Sequence, residues 1–136
     1  MEKQKINWLA IIILVVAYQL IAVVWYGVFA QSWMDFNQFT EADFAERNIT
    51  PYIIAIITAL ITNYVLAALF KALDIDSAMA GLRLAILCWI GFTFAEVSTL
   101  YIFSFKPFGL TLIDSGKALI AFSVSGIVLG AWRKYE

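Results

Sequence analysis

The chain has 136 residues, of which 63% are hydrophobic and only 14% charged, with a formal net charge of −1. A soluble domain carries about a quarter of its residues charged, so this composition excludes a water-bathed globule unless most of its surface meets lipid. Without excess positive charge or a basic run interleaved with aromatics, nucleic acid is excluded as a partner, and without any histidine so are imidazole metal sites, His-ligated haem and Ser-His or Cys-His nucleophile pairs.

Four apolar stretches organise the chain: Ile6 to Ala30, Pro51 to Leu73, Ala78 to Phe103 and Leu112 to Trp132. Each reaches the roughly 20 residues that cross ~30 Å of hydrocarbon as a helix. Continuous runs of this length predict helices, since only helices or closed barrels satisfy their backbone in lipid, and barrel strands alternate. The first stretch has a basic start at Lys3 and Lys5 and a Val28-Phe29-Ala30 resembling a cleavage site. Its apolar core is longer than the roughly 7–15 residues of a signal peptide, so a retained helix is expected.

Between the first two helices lies a polar segment, 31–50, with Trp33, Phe36, Phe39 and Phe44 set among Asp35, Glu41, Asp43, Glu46 and Arg47. Thr40-x-x-Asp43 predicts a short helix start. Two readings stay open: an acidic amphipathic segment on the membrane surface, or a folded cap over the helices. Thr50-Pro51 predicts a capping hydroxyl before a first-turn proline, and Asp76-Ser77 offers two caps for the third helix. Lys106-Pro107-Phe108-Gly109 predicts a turn, and Thr111-x-x-Asp114 a capping box opening the fourth helix. The expected fold is all-α: one integral membrane bundle of four transmembrane helices.

With four spans, both termini and the second loop share a side, which holds Lys3, Lys5, Lys71, Arg133 and Lys134, with Arg83 just inside. The other side holds Arg47 and Lys106, with Lys117 just inside. The positive-inside rule therefore predicts cytoplasmic termini. Trp8, Trp132 and Tyr135 mark one interface, and Trp25, Tyr26, Trp33, Tyr101 and Phe105 the other.

Ionisable groups inside a span cost several kcal/mol unless they pair, snorkel or meet water. Glu96 and Lys117 each lie roughly 9 Å from the outer ends of adjacent antiparallel helices, so they are expected to meet. An ion pair locking the hairpin, shared with Asp114, is one reading; a substrate- or proton-binding carboxylate in a wet cavity is the other. Arg83 is expected to snorkel, or to pair with Asp74 or Asp76, as an orientation anchor, the other reading being a ligand-binding group. Gln19 and Asn63 fall near mid-helix and predict an interhelical amide bond, or a polar pore lining. Gly91-x-x-x-Ala95 and Gly126-x-x-x-Gly130 have the small-xxx-small spacing, serving either the intrachain hairpin or a dimer. Cys88, alone in an apolar run, forms no intrachain disulfide and reads as packing. Ser115 and Lys117 stand on different helix faces and make no ready Ser–Lys dyad.

Asn7-Trp8-Leu9-Ala10, Trp25-Tyr26-Gly27 and Trp33-Met34 resemble the opening of the family catalogued as domain of unknown function 1761. Asn63-Tyr64, Gly81-Leu82, Trp89-Ile90-Gly91-Phe92, Leu112-Ile113-Asp114 and Gly126-Ile127-Val128-Leu129 extend the resemblance over nearly the whole chain. It implies a small multi-helix membrane protein without an established activity. Lys117 departs from it, standing where an aromatic residue is expected three positions after the Asp, so a Glu96–Lys117 pair is not part of what it implies. No catalytic residue, cofactor or metal is expected. The partners expected are the lipid bilayer and either a second copy or another membrane protein, in an interaction module or accessory subunit. The alternative is a small homo-oligomeric transporter or channel built on Glu96 and the midplane amides.

Overall fold

The structure, a computed structural model, describes residues 3–46 and 48–135. It is all-α apart from one two-residue strand pair, and four of its helices are long and apolar enough to cross a membrane. Helix α1 spans Trp8–Val28, a short α2 spans Ala30–Asn37, and α3 spans Thr50–Ala72. The third long helix, Ala78–Phe103, consists of α4 (Ala78–Cys88), a π-helical turn (Trp89–Phe94) and α5 (Ala95–Phe103). Helix α6 spans Phe108–Ala131.

Several predicted boundaries move for local reasons. α6 begins at Phe108 rather than Leu112, because extended Pro107 (φ −68°, ψ 150°) presets its entry. Thr111 and Asp114 are therefore inside the helix and form no capping box. Gly109, expected in the turn, is also helical, and a Cβ there would sit 2.6 Å from the Phe36 ring of α2. Thr50 is the first helical residue rather than the cap, and its N–H is held by Asn48 Oδ1 at 3.0 Å. Ser77 caps α4 as expected, accepting from Ala80 N at 3.1 Å. Asp74 (φ 53°) and Phe105 (φ 57°) adopt the left-handed conformation that ends each preceding helix.

The polar segment folds on itself. A 3-10 turn, Glu41–Phe44, is closed by the Thr40 N–H donating to Asp43 at 2.6 Å, and Trp33, Phe39 and Phe44 cluster with ring centroids 5.4–6.2 Å apart. Within this segment α2 packs on α6, while the 3-10 turn and the residues around it are exposed. Arg47, counted in that segment and in the charge bias, lies outside the described residues.

Helix α6 is the hub, packing on α1, α3, α4 and α5, most extensively on α4. Gly126 and Gly130 make that contact: a Cβ at Gly126 would fall 2.6 Å from the Gly81 carbonyl, and one at Gly130 would strike the Ser77 carbonyl. Ala10, Ile11 and Leu14 of α1, Leu66, Ala67 and Phe70 of α3, Cys88 of α4 and Leu129 of α6 complete the main core.

The chain ends are tied together. Strands β1 (Gln4–Lys5) and β2 (Lys134–Tyr135) pair antiparallel, which places both ends on one side of the long helices. Asn7 caps α1, accepting from Ala10 N at 3.2 Å, while its amide donates to the carbonyl of Trp132, the residue just past α6, at 3.1 Å. Arg133 donates to Gln4, whose own amide lies 3.4 Å from the Ile75 carbonyl. Burial lowers the Arg133 guanidinium from its ordinary value, while Tyr135, Asp76 and Asp74 act in the opposite sense. Arginine stays charged at any working pH, so this clasp holds a permanent cation.

Candidate functional site

The predicted polar residues separate into two bonded clusters, one cleft and two outward-facing charges. Nearest the termini, Asn63 of α3 is fully buried and donates to the Ala59 carbonyl at 2.9 Å. Its Oδ1 lies 2.6 Å from Ser125 Oγ of α6, which in turn lies 2.9 Å from Tyr18 Oη of α1. Ser125 has one hydroxyl proton, so it donates to Asn63 and accepts from Tyr18. Three helices are thereby stitched by one relay. The expected Gln19–Asn63 amide bond does not form: Asn63 is committed to Ser125, and Gln19 reaches the Ala55 carbonyl at 3.5 Å instead. Tyr18 and Ser125 were not among the residues singled out by sequence. The signal available was weak, namely that a tyrosine inside an apolar helix needs a partner for its hydroxyl.

Further along α6, Asp114 accepts hydrogen bonds from Tyr26 of α1 at 2.7 Å and Tyr101 of α5 at 2.5 Å. Two indoles brace the same stretch, Trp25 donating to the Ile113 carbonyl at 2.8 Å and Trp89 to the Ser115 carbonyl at 2.7 Å. Gly116 lets the Trp25 ring lie against α6, since a Cβ there would be 2.9 Å from it. Trp25, Tyr26 and Tyr101, read as interface markers, thus hold α6 in place. Ser115 is buried, and its hydroxyl donates to the Thr111 carbonyl one turn back.

Lys117 lies one turn beyond Asp114, so their charges interact, yet no ion pair within 4.0 Å forms. Its side chain lines a cleft of about 150 Å³ among α1, α3 and α6, whose other polar groups are Tyr18, Gln19, Thr58 and Thr62. Alanines such as Ala55 and Ala118 form much of the remaining wall, too short to fill the gap. Among the described residues no buried side-chain nitrogen or oxygen lacks a partner. Lys117 Nζ makes no hydrogen bond, so it is not sealed and reaches the cleft space.

The expected Glu96–Lys117 pair is not formed, and Glu96 is exposed on the outer face of α5, without a hydrogen bond or ion pair among the described residues. The cause is the π turn. In an uninterrupted α-helix Glu96 stands two turns from Trp89 and shares its face, which looks at α6. The π turn inserts one residue between them and rotates everything after it. Val97, Ser98 and Tyr101 take the inward positions, and Glu96 turns out with Phe92 and Phe103. Arg83 is likewise exposed and pairs with neither Asp74 nor Asp76.

The two small-residue seams differ in the same way. Gly126 and Gly130 are filled by α4, whereas a Cβ at Gly91 would meet nothing within 4 Å and Ala95 is exposed. The sequence left intrachain and interchain roles open. The first seam is intrachain, and the second meets no partner among the described residues.

Compared with known proteins, residues 9–130 match the family model described as "Protein of unknown function (DUF1761)". No curated protein matches the chain, and no solved structure does.

Proposed function

The chain belongs to the DUF1761 family, and from that premise we propose that it is an integral membrane interaction module that docks on other membrane helices through α5. The observation that carries this reading is Glu96. A carboxylate on the outer face of a membrane-length helix, with no hydrogen-bond or ion-pair partner among the described residues, costs several kcal/mol in hydrocarbon. A covering polypeptide removes that cost. The open Gly91/Ala95 seam beside it supports the same reading, since small residues let helix backbones approach closely. Both termini lie on one side, and the Lys and Arg bias of that side supports a cytoplasmic assignment. The reading is non-enzymatic: the Ser115 hydroxyl is bound to its own helix and is not presented to Lys117.

Photo-crosslinking tests it. A benzoylphenylalanine at Phe92, which is 78% exposed beside Glu96, is expected to give protein adducts in native membranes. Adducts to lipid alone would refute the docking reading.

The Lys117 cleft favours a second reading, passage or binding of a small anion between α1, α3 and α6. Anion uptake into vesicles that falls on Lys117→Ala, with Glu96→Gln unaffected, would support it over docking.

A further inference from the structure

Resting on the docking reading, we propose that the partner of the α5 face is a second copy of this chain, joined head to tail, with Glu96 of one copy seated in the Lys117 cleft of the next. Within the membrane-length helices, Glu96 and Lys117 are a carboxylate and an ammonium without an ion pair among the described residues, and they face different directions. Glu96 is exposed without a hydrogen bond, and the Lys117 ammonium opens into the cleft. The nearest carboxylate to that ammonium, Asp114, has its two oxygens engaged by Tyr26 and Tyr101. Within one chain neither charge finds the other.

Between copies they match in depth. Glu96 lies about 10 Å from the outer end of α5 and Lys117 about 14 Å from the outer end of α6. Copies in one bilayer share an orientation, so this offset is shorter than an extended lysine side chain. The cleft of about 150 Å³ has room for a carboxylate side chain, and Tyr18, Gln19 and Thr58 line it together with Lys117. Thr58 on its rim is exposed, so the cleft is reached from outside.

Small Gly91 and Ala95 flank the entering carboxylate and permit close backbone approach. A symmetric two-fold pairing of the α5 faces would instead set Glu96 against Glu96. The heterologous pairing repeats around a closed ring or along an open array.

The test uses the full chain in native membranes. Two differently tagged copies carry Cys88→Ser with either Thr99→Cys, one turn from Glu96, or Thr58→Cys, on the cleft rim. A short bismaleimide is expected to join 99 to 58 in preference to 99 to 99 or 58 to 58. Reversing one charge throughout, by Glu96→Lys or by Lys117→Glu, is expected to lower the 99–58 yield about tenfold, the effect of some 1.4 kcal/mol. Making both changes together is expected to restore it, which a merely misfolded chain would not do. A 99–99 product in excess, or single reversals without effect, overturns the head-to-tail pairing. Absence of any product between copies, with protein adducts persisting from position 92, overturns the second copy as partner while the docking reading stands. Absence of both removes the two together.

Discussion

The half of the molecule that carries the termini and the half that carries the α1–α3 connection are built from the same four helices, but only the first is closed. At the terminal end, Gly126 and Gly130 sit against Gly81 and Ser77, the Asn63–Ser125–Tyr18 relay is satisfied, and the strand clasp joins the ends. At the other end, α3 and α6 leave a cleft, α5 turns Glu96 outward, and α6 is held by tyrosine and tryptophan hydrogen bonds. Close backbone packing needs small residues on both surfaces and leaves no room for a charge. Where aromatics brace the helices instead, a cleft remains that Lys117 lines, and Glu96 faces outward. On the docking reading proposed above, the closed half serves stability and the open half recognition.

The contrast is sharpest between the two glycine seams. Gly126→Leu is expected to destabilise the monomer by about 3 kcal/mol or more, because the added side chain meets the α4 backbone. Gly91→Leu should change it by less than about 0.5 kcal/mol, since its face is empty within the chain. Denaturant titration in mixed micelles, read by helical circular dichroism, checks both. Equal effects would abolish the distinction between the halves.

Asp114→Leu removes the acceptor of two tyrosine hydroxyls and is expected to cost about 2 to 3 kcal/mol by the same titration. Tyr26→Phe and Tyr101→Phe should each cost less than that, since each removes one bond and leaves the other. In the closed half, Ser125→Ala strands the Asn63 oxygen and the Tyr18 hydroxyl. About 1 kcal/mol is expected, in line with other interhelical hydrogen bonds. The smallest effect belongs to the clasp. Arg133→Ala should cost a few tenths of a kcal/mol, seen as faster amide exchange at Lys5 and Lys134 rather than as a shifted midpoint.

Much of the architecture was legible because length and composition act one residue at a time. Four apolar runs announced four long helices, Ser77 announced its cap, and Thr40 with Asp43 announced the short turn between α2 and α3. The start of α6 was misplaced by one turn because the Thr111/Asp114 pattern imitates a capping box, whereas Pro107 opens the helix and Asp114 serves the tyrosines. The candidate site was less legible. Glu96, Lys117, Asn63 and Gln19 were all selected as embedded polar groups, but their pairings were not those observed. Tyr18 and Ser125 carried too little signal to be selected.

By itself the sequence determined that the chain forms four membrane-length helices and that few polar groups lie among them, since hydrophobic length is a local, additive property. Only the tertiary structure decided which way those groups face. One inserted residue in the Trp89–Phe94 turn rotates Glu96 away from α6, and no periodicity count registers it, because each neighbouring residue is as apolar as a continuous helix would require. Direction depends on the accumulated twist and on which helix fills the facing groove. Both are properties of the assembled chain.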